Sequence, residues 1–430
     1  MASSAGVPPR PALVRAIGRY DLLAAVVNGV IGSAIFGMPA RVAELTGVRS
    51  PFAYLLAGLG VMTIVLCFAE VASRFRDPGG PYLYAREAFG PLVGFQAGWL
   101  TFWIRVTAVA ANLNVMADYL AASLPAAGTG PARALVMAGV LGALTAINVA
   151  GVRQATWGVN LLTVAKLLPL ALLIAIGLPQ VSRQVLATQT AAQPDWIQAV
   201  LLLIYAYGGF EAPLIPAGET REPRKDTAFA LLGALAVIAV VYMSVQLVVV
   251  GVVPAAREAK APVAVAFEAL LGTPGLRLAS AAAIVSIVGW ALGSVLQSPR
   301  VLFSMAERGE LPALLARVHP RFHTPDAAIL TYAGLAGLLA LGGSFEANAT
   351  LSAIVRLVTY GLTCLALPVF RRRGGEPPGF LLRGAGLVVP LALGFCVFML
   401  ATRTDRQAWV LLAIVAVGFA LRAASRRRAA

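Results

Sequence analysis

The chain has 430 residues, of which 59% are hydrophobic and only 12% charged, about half the charged share of an ordinary soluble domain. That balance excludes a water-facing surface over most of the chain and implies an all-α polytopic membrane protein. A net charge of +15 would suggest nucleic acid in a soluble chain. Here the basic residues lie between apolar segments with no basic stripe, so the expected surroundings are a lipid bilayer, with no nucleic acid.

Residues 1–20 carry three prolines and Arg10, Arg15 and Arg19 but no apolar signal core, and read as a cytoplasmic tail. A helix needs about 20 apolar residues to cross the hydrocarbon core. Segments of that kind run over 22–45, 52–71, 92–120, 134–152, 157–178, 196–216, 228–253, 278–303, 327–341, 351–370, 387–401 and 408–421, twelve in all. The last has 14 residues before Arg422 and also suits an interfacial helix, with 422–430 as a basic tail. With the N-terminus inside, cytoplasmic stretches hold 22 Lys and Arg and outer stretches 9, while Arg105, Lys166 and Arg356 fall within spans. This is the positive-inside bias; it predicts a multi-pass protein of the inner membrane with both termini cytoplasmic. Cys67, Cys364 and Cys396 each sit inside an apolar segment, without metal-ligand spacing.

Two segments are unlike plain spanning helices. The first reads Asn28-Gly-Val-Ile-Gly-Ser-Ala-Ile-Phe-Gly-Met-Pro39, the second Tyr205-Ala-Tyr-Gly-Gly-Phe-Glu-Ala-Pro213. Lipid cannot satisfy freed backbone groups, so unwound chain at this depth must line a cavity or lie within protein. Asp21 opens the first segment and Trp196 the second, an offset of 175 that carries Gly32 to a position beside Gly208. Matching interruptions in two halves indicate inverted repeats around a midplane substrate site. The expected architecture is a 5+5 inverted-repeat transporter fold with broken helices 1 and 6. Its repeats cover 21–178 and 196–370, and two further helices occupy 383–421.

Unwinding exposes amide N–H groups at the positive end of the outer half-helix, where a carboxylate can dock. Freed carbonyls at the C-terminal end of the other half-helix attract an ammonium group, so one site suits an amino acid's zwitterion. The competing account is that these glycines only allow close helix packing; two segments in register favour binding.

These residues resemble the amino acid–polyamine–organocation transporters. Gly29-x-x-Gly-Ser-Ala-Ile-Phe-Gly37 is similar to the family's first-helix signature. Phe68-Ala-Glu-Val-Ala-Ser-Arg-Phe75 with Gly79-Gly-Pro-Tyr-Leu-Tyr-Ala-Arg-Glu-Ala-Phe-Gly90 resembles its helix 2–3 signature. Tyr207-Gly-Gly-Phe-Glu-Ala212 with 217–226 resembles helix 6 and its following loop, and 299–312 with 320–325 the helix 8–9 loop. The resemblance covers about residues 20–370.

It implies a permease for an amino acid or related amine, working by proton coupling, exchange or facilitated movement, with no resident cofactor. By resemblance, Gly32, Ser33 and Ala34 cradle the carboxylate, backbone from Tyr205 through Ala206, Gly208 and Gly209 receives the amine, and Phe210 helps close the pocket. Trp290 stands where the family places pocket-lining residues, though a lipid-facing aromatic fits its position equally. Ala34 departs from the family's usual glycine, which questions the ordinary substrate range.

An ionisable group inside a span is a functional candidate by default. Sodium-independent members of the resembled family carry a lysine near a sodium site, so Lys166 is expected to replace sodium and carry the coupling proton; a structural lysine is the alternative. Arg105 and Arg356 are candidates to face a side-chain subsite or to pair with Glu211, which itself could bind substrate, relay protons or lock a gate. A structural ion pair fits all three as well. Glu70 and Glu219 read as gate or loop-anchoring acids.

His319 and His323, the only histidines, are four apart but flanked by Pro320 and Pro325, which break a helix; neither an enzyme nor a metal site is expected. The remaining alternatives are a same-fold permease for another small amine, a nucleobase or a cation, and a non-transporting sensor.

Overall fold

A computed structural model describes residues 18–75, 79–151, 155–188, 193–214, 222–253, 258–374, 377–402 and 405–429. Glu219 and the residues of the 1–17 tail lie outside them. Among the described residues the regular structure is helical. In chain order the α-helices are α1 Arg19–Val30, α2 Ala34–Thr46, α3 Ser50–Ala72, α4 Gly80–Phe89, α5 Pro91–Ser123 and α6 Gly130–Ala150. They continue with α7 Ala155–Gly177, α8 Arg183–Thr188, α9 Trp196–Tyr207, α10 Pro223–Val252, α11 Pro262–Leu271 and α12 Thr273–Gln297. The last are α13 Pro299–Glu307, α14 Asp326–Gly342, α15 Phe345–Arg373, α16 Ala385–Ala401 and α17 Asp405–Ala429.

Eight described stretches are long and apolar enough to cross a membrane, from Ala34–Ala72 to Arg406–Arg427. Four further apolar helices are shorter: Lys166–Gln180, Pro262–Leu271, Asp326–Gly342 and Ala385–Ala401. The outward surface carries the matching signature. Leu168, Val240, Leu338, Leu387 and Trp409 each expose 65% or more of their area, an arrangement that suits lipid and would aggregate in water.

Two sequence expectations change in detail. The final apolar segment does not stop at Leu421, since α17 continues through the arginines to Ala429; Ala and Arg are strong helix formers and prolong the helix. The segment read as 278–303 is two helices, because Ser298 separates α12 from α13 and Pro299 starts the second.

The chain breaks where the glycines predict. α1 ends at Val30, Ile31 is extended at φ −72°, ψ 91°, and α2 starts at Ala34. α9 ends at Tyr207, followed by Gly208 at φ −77°, ψ 155° and Gly209 at φ 116°. The two breaks touch one another. A Cβ on Gly209 would lie 2.5 Å from the Gly29 carbonyl oxygen, and its φ lies in the region that favours glycine. Around this junction pack α3, α5, α10, α12 and α15, so the irregular backbone is enclosed by protein.

Candidate functional site

The first break presents two kinds of backbone group, carbonyls at one end and amides at the other. At its carbonyl end, the buried Lys166 ammonium donates to the Asn28 and Ile31 oxygens, each at 2.7 Å. A helix leaves its last carbonyls unpaired and partly negative, so a cation belongs there. The Gly29 oxygen accepts the Trp290 indole N–H at 3.2 Å. At the opposite end, the amides of Gly32, Ser33 and Ala34 meet no acceptor among the described residues, while the Ser33 carbonyl accepts the Phe36 and Gly37 amides. Ser33 makes no side-chain cap; its hydroxyl faces the Tyr205 hydroxyl at 3.1 Å. Free donors thus converge at the start of α2.

The second break is held by the opposite charge. Glu211 Oε2 accepts the Gly209 amide at 2.9 Å and the Tyr360 hydroxyl at 2.8 Å. Glu211 Oε1 accepts Arg356 Nη1 at 3.0 Å and lies 3.6 Å from Arg105 Nη2. Arg356 and Glu211 are both almost wholly enclosed. Gly208 is needed for space, its φ being ordinary: a Cβ there would lie 2.2 Å from Arg356 Nη1.

Between the breaks lies a small polar cavity. Gly29, Gly32, Ser33 and Ala34 form one wall, Tyr205 and Gly208 another, Trp290 and Arg356 close the sides, and Ala108 and Asn112 of α5 complete it. The Trp290 ring covers Gly32, where a Cβ would sit 3.6 Å from it. Asn112 donates to the Ala108 carbonyl at 2.7 Å and the Tyr205 hydroxyl at 3.2 Å, leaving its Oδ1 buried without a partner. The open space is only about 10 Å³, room for about one water, so a solute must part these walls to enter. A far larger cavity of about 720 Å³ lies between α6 and α14, away from both breaks and lined almost wholly by apolar side chains. Its chemistry does not suit a polar solute.

Of the residues anticipated from sequence, Gly32, Ser33, Ala34, Tyr205, Gly208 and Trp290 line the polar cavity. Others stand behind it. The Ala206 carbonyl accepts the Tyr242 hydroxyl at 3.0 Å, and the Tyr205 carbonyl the Gly208 amide at 3.1 Å. Phe210 does not line the cavity and packs its ring 5.2 Å from Phe68 and 5.0 Å from Tyr360. Lys166, Glu211 and Arg105 brace the breaks from outside the cavity wall. Asn112 went unnoticed, although an amide within an apolar span signals function for the same reason a charge does. Glu70 is fully buried and accepts from Arg74 at 2.6 Å, from Arg371 and from the Leu382 amide at 2.9 Å, tying α3 to α15 and the segment before α16.

The fold and cavity define a multi-pass helical membrane protein with paired helix interruptions around a small polar site. A profile of the amino acid permease family matches residues 17–421, and the chain belongs to that family, whose members are transporters and not enzymes. It is 29% identical over 370 residues to the serine/threonine exchanger SteT of Bacillus subtilis, covering 84% of each chain. It is 30% identical to the Asc-type amino acid transporter 1 of Mus musculus, over 85% of this chain and 72% of that one. It is also 29% identical to the polyamine transporter PUT1 of Oryza sativa, over 97% of this chain and 80% of that one.

Proposed function

We propose that this protein moves an amino acid across the cytoplasmic membrane by alternating access. Twelve spanning helices form two inverted five-helix repeats with two added helices, and both termini face the cytoplasm. The substrate carboxylate docks on the Gly32, Ser33 and Ala34 amides, and its ammonium takes Asn112 Oδ1 with the remaining lone pairs of the Tyr205–Gly208 carbonyls. Trp290 folds over the bound solute.

The observation that carries this reading is the pair of opposite charges at the two breaks. Lys166 occupies the α1 carbonyl end, where a metal cation would otherwise be needed, and leaves the α2 amides free for an anion. Transport is therefore sodium-independent, and it is driven by protons, with Lys166 as carrier, or by exchange. A polyamine cargo, as named for the rice relative, would require acids facing the cavity; Glu211 is engaged by Arg356, Tyr360 and the Gly209 amide instead.

The test uses purified protein in liposomes. Uptake of a radiolabelled amino acid, chosen from a panel as the one best taken up, should persist without sodium and rise with an inward proton gradient. Lys166→Ala, checked for intact folding by size exclusion, should lose that response. A response to pH unchanged in the variant overturns the assignment of Lys166, and a strict sodium requirement overturns the replacement of sodium.

A further inference from the structure

The charges around the cavity do not balance. Among the described residues, Arg105 and Arg356 share one buried acid, Glu211, and Lys166 adds a third buried cation with no carboxylate partner. Lys166 is committed to the α1 carbonyls, and Arg356 Nη1 to Glu211 and the Tyr360 hydroxyl. Arg356 Nη2 donates no hydrogen bond to any described residue, although Arg356 lines the cavity. Arg105 likewise donates none and reaches Glu211 only at 3.6 Å. It lies on the same face of α5 as Ala108 and Asn112, three and seven residues on, hence one turn from the cavity wall. Added to these are the unpaired α2 amides at the positive end of a helix.

We infer that Arg356 and Arg105 set specificity, selecting an amino acid whose side chain carries a second carboxylate. A zwitterion leaves the surplus positive charge unanswered, and a cationic side chain adds to it. A dicarboxylic substrate places one carboxylate on the α2 amides and the other on Arg356 Nη2, a charge-assisted bond, with Arg105 one turn away to supply a second donor. This rests on the transport reading above and narrows its cargo.

The experiment measures thermal stabilisation of the purified full chain by aspartate, glutamate, their amides, serine, lysine and putrescine, because a ligand bound only by folded protein raises apparent stability. Aspartate or glutamate should stabilise at a concentration at least tenfold below its own amide, and lysine and putrescine should have no effect. Arg105→Gln should narrow the acid-to-amide ratio at least threefold, and the charge-matched pair Arg356→Gln with Glu211→Gln should abolish it. Amides or serine binding as well as the acids would overturn this inference and leave amino acid transport standing. If nothing in the panel stabilises the protein, this inference falls, and the transport reading falls with it only if the liposome uptake above is also absent for every amino acid. Should the double variant not fold, the wild-type panel and Arg105→Gln decide the matter alone.

Discussion

The two helix breaks look alike in sequence and are opposites in chemistry. At the first, a lysine from α7 caps carbonyls and leaves amides exposed; at the second, a carboxylate caps an amide and is itself clamped by arginine and tyrosine. The first follows the helix dipole, which favours cations at C-terminal ends. The second lies just past the end of α9 and owes its anion to the Gly209 amide and the guanidinium and hydroxyl that pair with it. The difference separates their tasks. The first break keeps unused donors facing a cavity, whereas the acid of the second is spent on bracing the structure.

Removing the brace should have the largest effect. Glu211→Ala would strand Arg356 as an enclosed cation, and breaking a buried pair costs about 3–5 kcal/mol. A large fall in thermal midpoint and in the folded fraction eluting from size exclusion is expected. Glu211→Ala protein as stable as wild type would show that the second break is not held by charge.

Glycine replacements sharpen the contrast. Gly209→Ala combines a left-handed φ with a Cβ 2.5 Å from the Gly29 oxygen, and should cost about 3 kcal/mol through strain and overlap together. The methyl of Gly32→Ala meets the Trp290 ring first, at 3.6 Å, an ordinary contact, so stability should change by less than about 1 kcal/mol. Its methyl nevertheless enters a space that holds about one water, and ligand stabilisation should be lost. Thermal unfolding with and without amino acid separates the two outcomes. Equal loss of stability in both variants would erase the proposed division between bracing and binding.

The positions of both breaks were legible because glycines, an acid and a proline have no place in a plain spanning helix. Lys166 was legible for the same reason. The partners were not. α5 is buried along most of its length, so no polar face discloses its rotation, and neither Asn112 nor Arg105 could be aimed from sequence. The clamp on Glu211 joins the break after α9 to α15 across 145 residues, a distance at which spacing carries no information. Gly208 was read as a helix breaker, yet its lack of a side chain is demanded by a guanidinium from another helix.

The smallest expected effect comes from charges of the same kind at the surface. Arg41 in α2 lies 3.0 Å from Glu346 at the start of α15, with both side chains about one-third exposed. Water and salt weaken such a pair, and its contribution is about 0–1 kcal/mol, against several for the buried clamp. Arg41→Ala should therefore leave the thermal midpoint nearly unchanged. The pair nevertheless joins the half-helix that carries the free amides to the helix that carries Arg356. If α2 must separate from α15 to admit a solute, Arg41→Ala should speed uptake at low salt, and the gain should vanish at high salt, where wild type also loses the attraction. Uptake by wild type and Arg41→Ala at two ionic strengths tests this. A variant with uptake equal to wild type at both would mean that the pair does not restrain α2.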